Sequence, residues 1–199
     1  MAFRTFSLRS MLIAMGCCCI LFGWWTHTAR LQEDAVAWVD WHGGSVKYGP
    51  PICDWRPGWL GRDYDSNVVS ATLGGSTKEI SWHIIDIPKL ESLTIRGRSV
   101  SDLYPLEYLS RIESLSMSGT EVSDLSSIGH LVDMRFLNAS YTPVSNVAPL
   151  EDLVNLRYLS LRRTRVARVA PLRRMTAMRS LELSLTPVSN ISALANMPD

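Results

Sequence analysis

Cysteine, paired histidine and net charge are all scarce in this chain, and each shortage closes a class of function. Four cysteines occur in 199 residues; Cys17, Cys18 and Cys19 lie together in an apolar run and Cys53 stands alone. One outlying thiol cannot close an internal disulfide, so no oxidative framework is written here. No CxxC or His–Cys spacing suits zinc. Asp63-x-Asp65-x-Asn67 opens like a calcium loop, but Val68 replaces the required glycine and Gly74 the closing glutamate. Gly74-Gly75 has no following Lys-Ser/Thr, so it is no phosphate loop. His27, His42, His83 and His130 are scattered, none beside a Ser, Cys or carboxylate at nucleophile spacing. Twenty Lys and Arg meet nineteen Asp and Glu, so nothing global argues for nucleic acid. These absences lead to an expectation of no enzyme, no metal and no cofactor.

What is abundant is a period. From Leu90 to Asp199 the chain reads as five copies of a 22-residue unit without insertion. Positions 1, 4, 6, 11, 14, 17 and 20 are apolar in every copy. In the second they are Ile112, Leu115, Met117, Val122, Leu125, Ile128 and Leu131; in the fourth, Leu156, Leu159, Leu161, Val166, Val169, Leu172 and Met175. A fixed short period of this kind is the mark of a solenoid. Positions 4 and 6 alternate with polar neighbours, as in Leu159-Ser160-Leu161-Arg162, which predicts a short strand. Positions 14, 17 and 20 are three apart and suit a 3-10 return, whose backbone Pro105, Pro149 and Pro171 fix at position 16. One coil cannot bury its apolar side chains alone, so successive coils stack and their strands pair in parallel about 4.8 Å apart.

The segments LESLTIRGRSV, IESLSMSGTEV, MRFLNASYTPV, LRYLSLRRTRV and MRSLELSLTPV resemble the leucine-rich repeat in its 22-residue internalin-like form. Where that pattern usually has Asn at position 9, this chain has Thr120, Thr142, Thr164 and Thr186, and Arg98 in the first copy. With Met11 to Trp25 in front, the whole resembles short membrane-anchored bacterial leucine-rich-repeat proteins. The resemblance implies an α/β leucine-rich-repeat solenoid, with short parallel strands on the concave face and a 3-10 or irregular convex side, preceded by an N-terminal transmembrane helix. It also implies a non-enzymatic role in binding through the strand face.

Ahead of the repeats, residues 1–9 carry Arg4 and Arg9 and no acid, an expected cytoplasmic tail. Ser10 to Trp25 is uncharged and apolar, short for a span that wants about 20 residues. A cleaved signal peptide is the main rival, but no small-x-small site follows the run. A lipoprotein reading on Gly16-Cys17 fits poorly with Ala14-Met15 before it. Trp24 and Trp25 suit an interfacial belt, so residues 10–27 are expected to be a single-pass anchor with the repeats outside the cytoplasm. Residues 28–67 are expected to form a juxtamembrane helix and N-terminal cap. Leu31, Ala35 and Trp38 recur at helical spacing, Gly43-Gly44 stops the helix, and Ser45 to Tyr48 is a candidate strand. Trp38, Trp41, Trp55 and Trp59 are expected to pack over the first coil rather than to cage a ligand. Residues 68–89 align as a degenerate repeat, with Lys78 and Ser81 at positions 11 and 14.

On the strand face, positions 3, 5 and 7 are expected to point outward. Phe136 and Tyr158 are then lateral neighbours, with Asn138, Ser140, Ser160 and Arg162 around them and Tyr141 and Arg163 at the edge. The fourth coil holds seven arginines and no acid, but they surround it, and Glu151 and Asp152 stand beside Arg173 and Arg174. The candidate face therefore suits another protein, since aromatic and Arg side chains dominate hot spots; the alternative is that the two rings only cover each other. A structural, glycan-binding or self-associating envelope component is the second expectation, and a regulatory part of an enzyme the third. No polar cap follows the fifth coil, so self-association through its open edge, or continuation in a longer domain, is expected.

Overall fold

The computed structural model describes residues 26–51 and 66–195. The anchor expected at Ser10 to Trp25 lies outside those residues, as do the tail before it, Trp55 and Trp59. Among the described residues no helix is long and apolar enough to cross a membrane.

Residues 26–41 form helix α1, which buries Ala29, Gln32, Ala35 and Val39. The inward face thus runs through Gln32, while Leu31 of the expected stripe is half-buried. The two alanines keep that face thin, and Gln32 Oε1 accepts from the Val68 backbone N–H at 3.5 Å. The helix ends where Gly43 adopts φ 69°. Gly43 then donates to the Asp40 carbonyl and Gly44 to that of Val39, both at 2.9 Å, which satisfies the last turn. A Cβ on Gly44 would strike the Thr72 carbonyl, so the chain crosses here only as glycine.

Strand β1 (Ser45–Pro51) pairs antiparallel with β2 (Ser66–Leu73). Every later pairing is parallel. β3 (Ser92–Ile95), β4 (Ser114–Ser116), β5 (Phe136–Asn138), β6 (Tyr158–Ser160) and β7 (Ser180–Glu182) follow in chain order in one seven-stranded sheet. The register advances by one unit per strand, so Leu93, Leu115, Leu137, Leu159 and Leu181 form one row. All seven apolar positions of the first four copies are buried. Burying each Leu or Ile contributes about 1.5–3 kcal/mol, and only the stack makes that burial available.

Two side-chain devices turn each coil. At position 9, Thr120, Thr142, Thr164 and Thr186 each donate Oγ1–H to the carbonyl three residues back, at 2.6–2.8 Å. At position 13, Asp102, Asp124, Asn146 and Asn190 accept from the N–H two residues on, at 2.8–2.9 Å. Those bonds lead into the 3-10 turns Tyr104–Tyr108, Ser126–Ile128, Ala148–Leu150 and Ser192–Leu194. Arg168 holds the place in the fourth coil, whose turn Ala170–Arg174 begins without that acceptor.

Residues 68–89 do form a coil, but their register differs from the alignment. Thr77 and Ile80 are buried in place of Lys78 and Ser81. The descent from β2 is one residue shorter than in the other coils, and the residue is regained before the turn Trp82–Asp86. The Thr77 hydroxyl is buried without a hydrogen-bond partner among the described residues.

Candidate binding face

Strands β5 and β6 place Phe136 opposite Tyr158. Their rings stack with centroids 4.5 Å apart and planes 6° from parallel. The same position is Ser92, Ser114 and Ser180 in the other copies, so the strand itself does not require a ring there. Both rings are half-buried, each covering the other.

Two expected site residues are not on the surface. Ser140 and Ser160, expected to point outward, are 5% and 1% exposed. Their hydroxyl oxygens lie 2.7 Å apart, and Ser160 Oγ donates to Glu182 Oε2 at 2.9 Å. Each hydroxyl finds its partner on the next coil, so these serines join coils and offer nothing to a partner. Asn138 is similarly engaged, its Oδ1 accepting from the Ser140 N–H at 3.0 Å.

Arg162 is also committed. Its Nη1 lies 3.3 Å from Glu182 Oε1, the same oxygen that accepts from Ser184 Oγ at 3.0 Å. Hydrogen bonds from Ser160 and Ser184, followed by Arg162, hold the Glu182 carboxyl below the usual carboxylate range. The Ser160–Glu182 bond links the fourth coil to the fifth. Arg173 and Arg174 meet Glu151 and Asp152 at 3.4 and 3.5 Å. Exposed as they are, these lateral pairs contribute about 0–1 kcal/mol each. Among the described residues no group of three His, Cys, Asp or Glu could hold a metal ion.

The edge of the face holds the stronger feature. Tyr141, Arg163 and Leu185, all at position 8, adopt φ of 58°, 53° and 58°. In the second copy the same place is Gly119 at 77°. Left-handed backbone costs a residue with a side chain roughly 1–2 kcal/mol, so three successive coils carry strain that glycine would avoid. Tyr141 is 47% and Leu185 68% exposed, and Arg163 is exposed between them. The guanidinium groups of Arg162 and Arg163 lie 6.0 and 5.8 Å from the Tyr141 ring centre, within cation–π range. A shallow cleft of about 280 Å³ lies along Tyr141, Arg163 and Leu185. Leu185 was absent from the expected set, although it shares position 8 with Tyr141 and Arg163.

With this geometry in place, the likeness to solved structures can be stated. Internalin C2 from Listeria monocytogenes is 24% identical, over 67% of this chain and 62% of its own, with a TM-score of 0.62. A second internalin from that bacterium is 23% identical, over 63% of this chain and 37% of its own, at 0.58. The fold is that of an internalin-like leucine-rich repeat. A plant peptide hormone receptor, solved in complex with RGF2, shares the fold at 15% identity and a TM-score of 0.52, over 63% of this chain and 24% of its own. The chain spans less than two thirds of the length of any of these leucine-rich-repeat proteins. No family model and no curated protein matches it.

Proposed function

We propose that this chain is a membrane-anchored, non-enzymatic leucine-rich-repeat module that binds another protein. The contact lies at the edge of its strand face, on Tyr141, Arg163 and Leu185 beside the Phe136–Tyr158 stack. The observation that carries the reading is the left-handed backbone of those three residues. Strain that glycine would remove points to a use for the side chains it holds out. A plant peptide hormone receptor of this fold has been solved in complex with RGF2, which supports the reading.

The test separates stability from capture. Tyr141→Gly relieves the backbone and removes the ring together. Melting temperature is expected to hold or rise, while capture of a partner crosslinked in the native membrane weakens by about 2 kcal/mol. Tyr158→Ala is expected to weaken capture as well, with a modest loss of stability. Unchanged capture by both variants would falsify the assignment.

The anchor at Ser10 to Trp25 is part of the same reading, supported by Arg4 and Arg9 before an apolar run ending in two Trp. Protease added to intact spheroplasts is expected to remove the repeats from an N-terminally tagged protein; protected repeats, or a mature N-terminus near Ala29, would overturn this part. A second reading, self-association as an envelope component, is favoured by the fifth coil. There Leu181, Leu183, Val188 and Leu194 are only partly buried and Ile191 is 62% exposed.

A further inference from the structure

On the opposite side of the solenoid, three aromatic rings meet in the open. Trp82 begins one 3-10 turn, and Tyr104 begins the next turn, which Tyr108 ends. They are 51%, 44% and 57% exposed. Trp82 stands 5.5 Å from Tyr104 and 5.6 Å from Tyr108, and the tyrosines are 5.9 Å apart, centroid to centroid. The interplanar angles are 83°, 57° and 84°, so the rings form a corner and not a flat stack.

The other repeats show that the fold does not need this cluster. The residue that opens the 3-10 turn is Ser126, Ala148, Ala170 and Ser192 in the later coils, against Trp82 and Tyr104 here. His130, Asp152 and Arg174 stand where this coil has Tyr108. Beside Trp82 and Tyr104 lies a cleft of about 340 Å³ edged by Lys78, Glu79, Ser81 and Asp102. Lys78 and Glu79 are exposed and make no hydrogen bond or ion pair with other described residues. The aromatic faces therefore stand beside the exposed Lys78 and Glu79 and beside Asp102, whose Oδ1 already accepts from the Tyr104 N–H at 2.8 Å; the Tyr104 and Tyr108 hydroxyls lie 3.2 Å apart.

We infer that this corner is a carbohydrate-binding site, taking a β-linked pyranose oligosaccharide. A pyranose with equatorial substituents carries axial C–H bonds on both flat faces and a rim of hydroxyls, so either face can lie on a ring. One C–H face lies on an exposed ring, the neighbouring ring walls its edge, and the hydroxyl rim meets Lys78, Glu79 and Asp102. The mixed charge of that rim suits a neutral ligand. A methylated ammonium would need room between the rings, and these rings already touch one another at their preferred spacing. The site lies on the convex side and is independent of the protein-binding face proposed above.

The test is a calorimetric titration of the full-length chain, in a detergent without a sugar headgroup. The probes are the β-1,4-linked tetrasaccharides of glucose and of N-acetylglucosamine. At least one is expected to bind with a dissociation constant in the sub-millimolar to millimolar range, about −4 to −6 kcal/mol. Trp82→Ala and Tyr104→Ala are each expected to weaken binding about tenfold or more, with little change in melting temperature. Tyr141→Gly serves as the control and is expected to bind both probes like the wild type, whatever it does to protein capture. No binding of either probe at about 10 mM, or undiminished binding by both ring variants, would overturn the inference. Loss of a protein partner by Trp82→Ala, without sugar binding by the wild type, would reassign the corner to peptide docking and overturn it equally.

Discussion

At its first end the apolar row of the solenoid runs under helix α1 and the antiparallel strand β1; at its fifth coil the same row meets solvent. Val39 of the helix is fully buried, and so is Leu93 in the first repeat. Leu181, register partner of the buried Leu159, is only partly covered, and Ile191 is 62% exposed. The fourth and fifth copies have equally apolar patterns, so pattern alone does not decide burial. A coil contributes half of a core, and the neighbour on each side supplies the rest.

The sharpest way to break this comparison is one substitution made at both ends. Val39→Asp puts an unpaired charge against the first coils and is expected to cost about 3–5 kcal/mol, or to prevent folding. Ile191→Asp is expected to change stability by at most about 0.5 kcal/mol, as a surface substitution does. Both are read from denaturant midpoints. Sedimentation of the wild type beside Ile191→Asp adds a second readout: association that the variant loses would assign the open coil to a second copy of the chain.

A smaller effect sharpens the same point within one row. Leu159→Ala leaves a cavity in a closed coil and is expected to cost about 2–5 kcal/mol. Leu181→Ala, one strand further on, is expected to cost less than half as much, because solvent already reaches the site. Equal losses would show that the fifth coil is covered in solution.

The seven buried positions of each of the first four coils were legible because a 22-residue period sets them in register whatever the details of the turns. The 3-10 returns were legible from Pro105, Pro149 and Pro171. The degenerate coil was misaligned around Lys78 and Ser81, since a one-residue deletion followed by a one-residue insertion keeps the overall length. Ser140 and Ser160 were misplaced because their burial depends on partners one coil away, and no local pattern shows whether a hydroxyl finds one. Left-handed backbone at Tyr141, Arg163 and Leu185 could not be read, because glycine stands at position 8 only in the first two copies, as Gly97 and Gly119, and of these only Gly119 is left-handed. The corner of Trp82, Tyr104 and Tyr108 was missed because its residues come from two coils, and no pattern within one coil shows which rings meet across the next.

A small stabilising effect concerns the coil turns. Arg168 stands where Asp102, Asp124, Asn146 and Asn190 each accept a backbone N–H. Arg168→Asn is expected to supply the missing acceptor to the Ala170 N–H and to stabilise by about 0.5–1 kcal/mol, read as a rise in melting temperature. An unchanged or lowered midpoint would mean that the arginine already contributes as much.

The threonine bonds at position 9 have a mechanical consequence. Each closes a loop within its own coil and leaves cohesion between coils to the strand ladder, the apolar contacts and a few lateral side-chain ties. Under tension applied along the stack, the molecule is therefore expected to yield as a series of discrete rips, beginning at the half-covered fifth coil. Each rip would free 22 residues, on the order of 75 Å of extended chain. The Ser140–Ser160–Glu182 and Arg162–Glu182 ties join the coils nearest that end, so they would set how much force the first rips require.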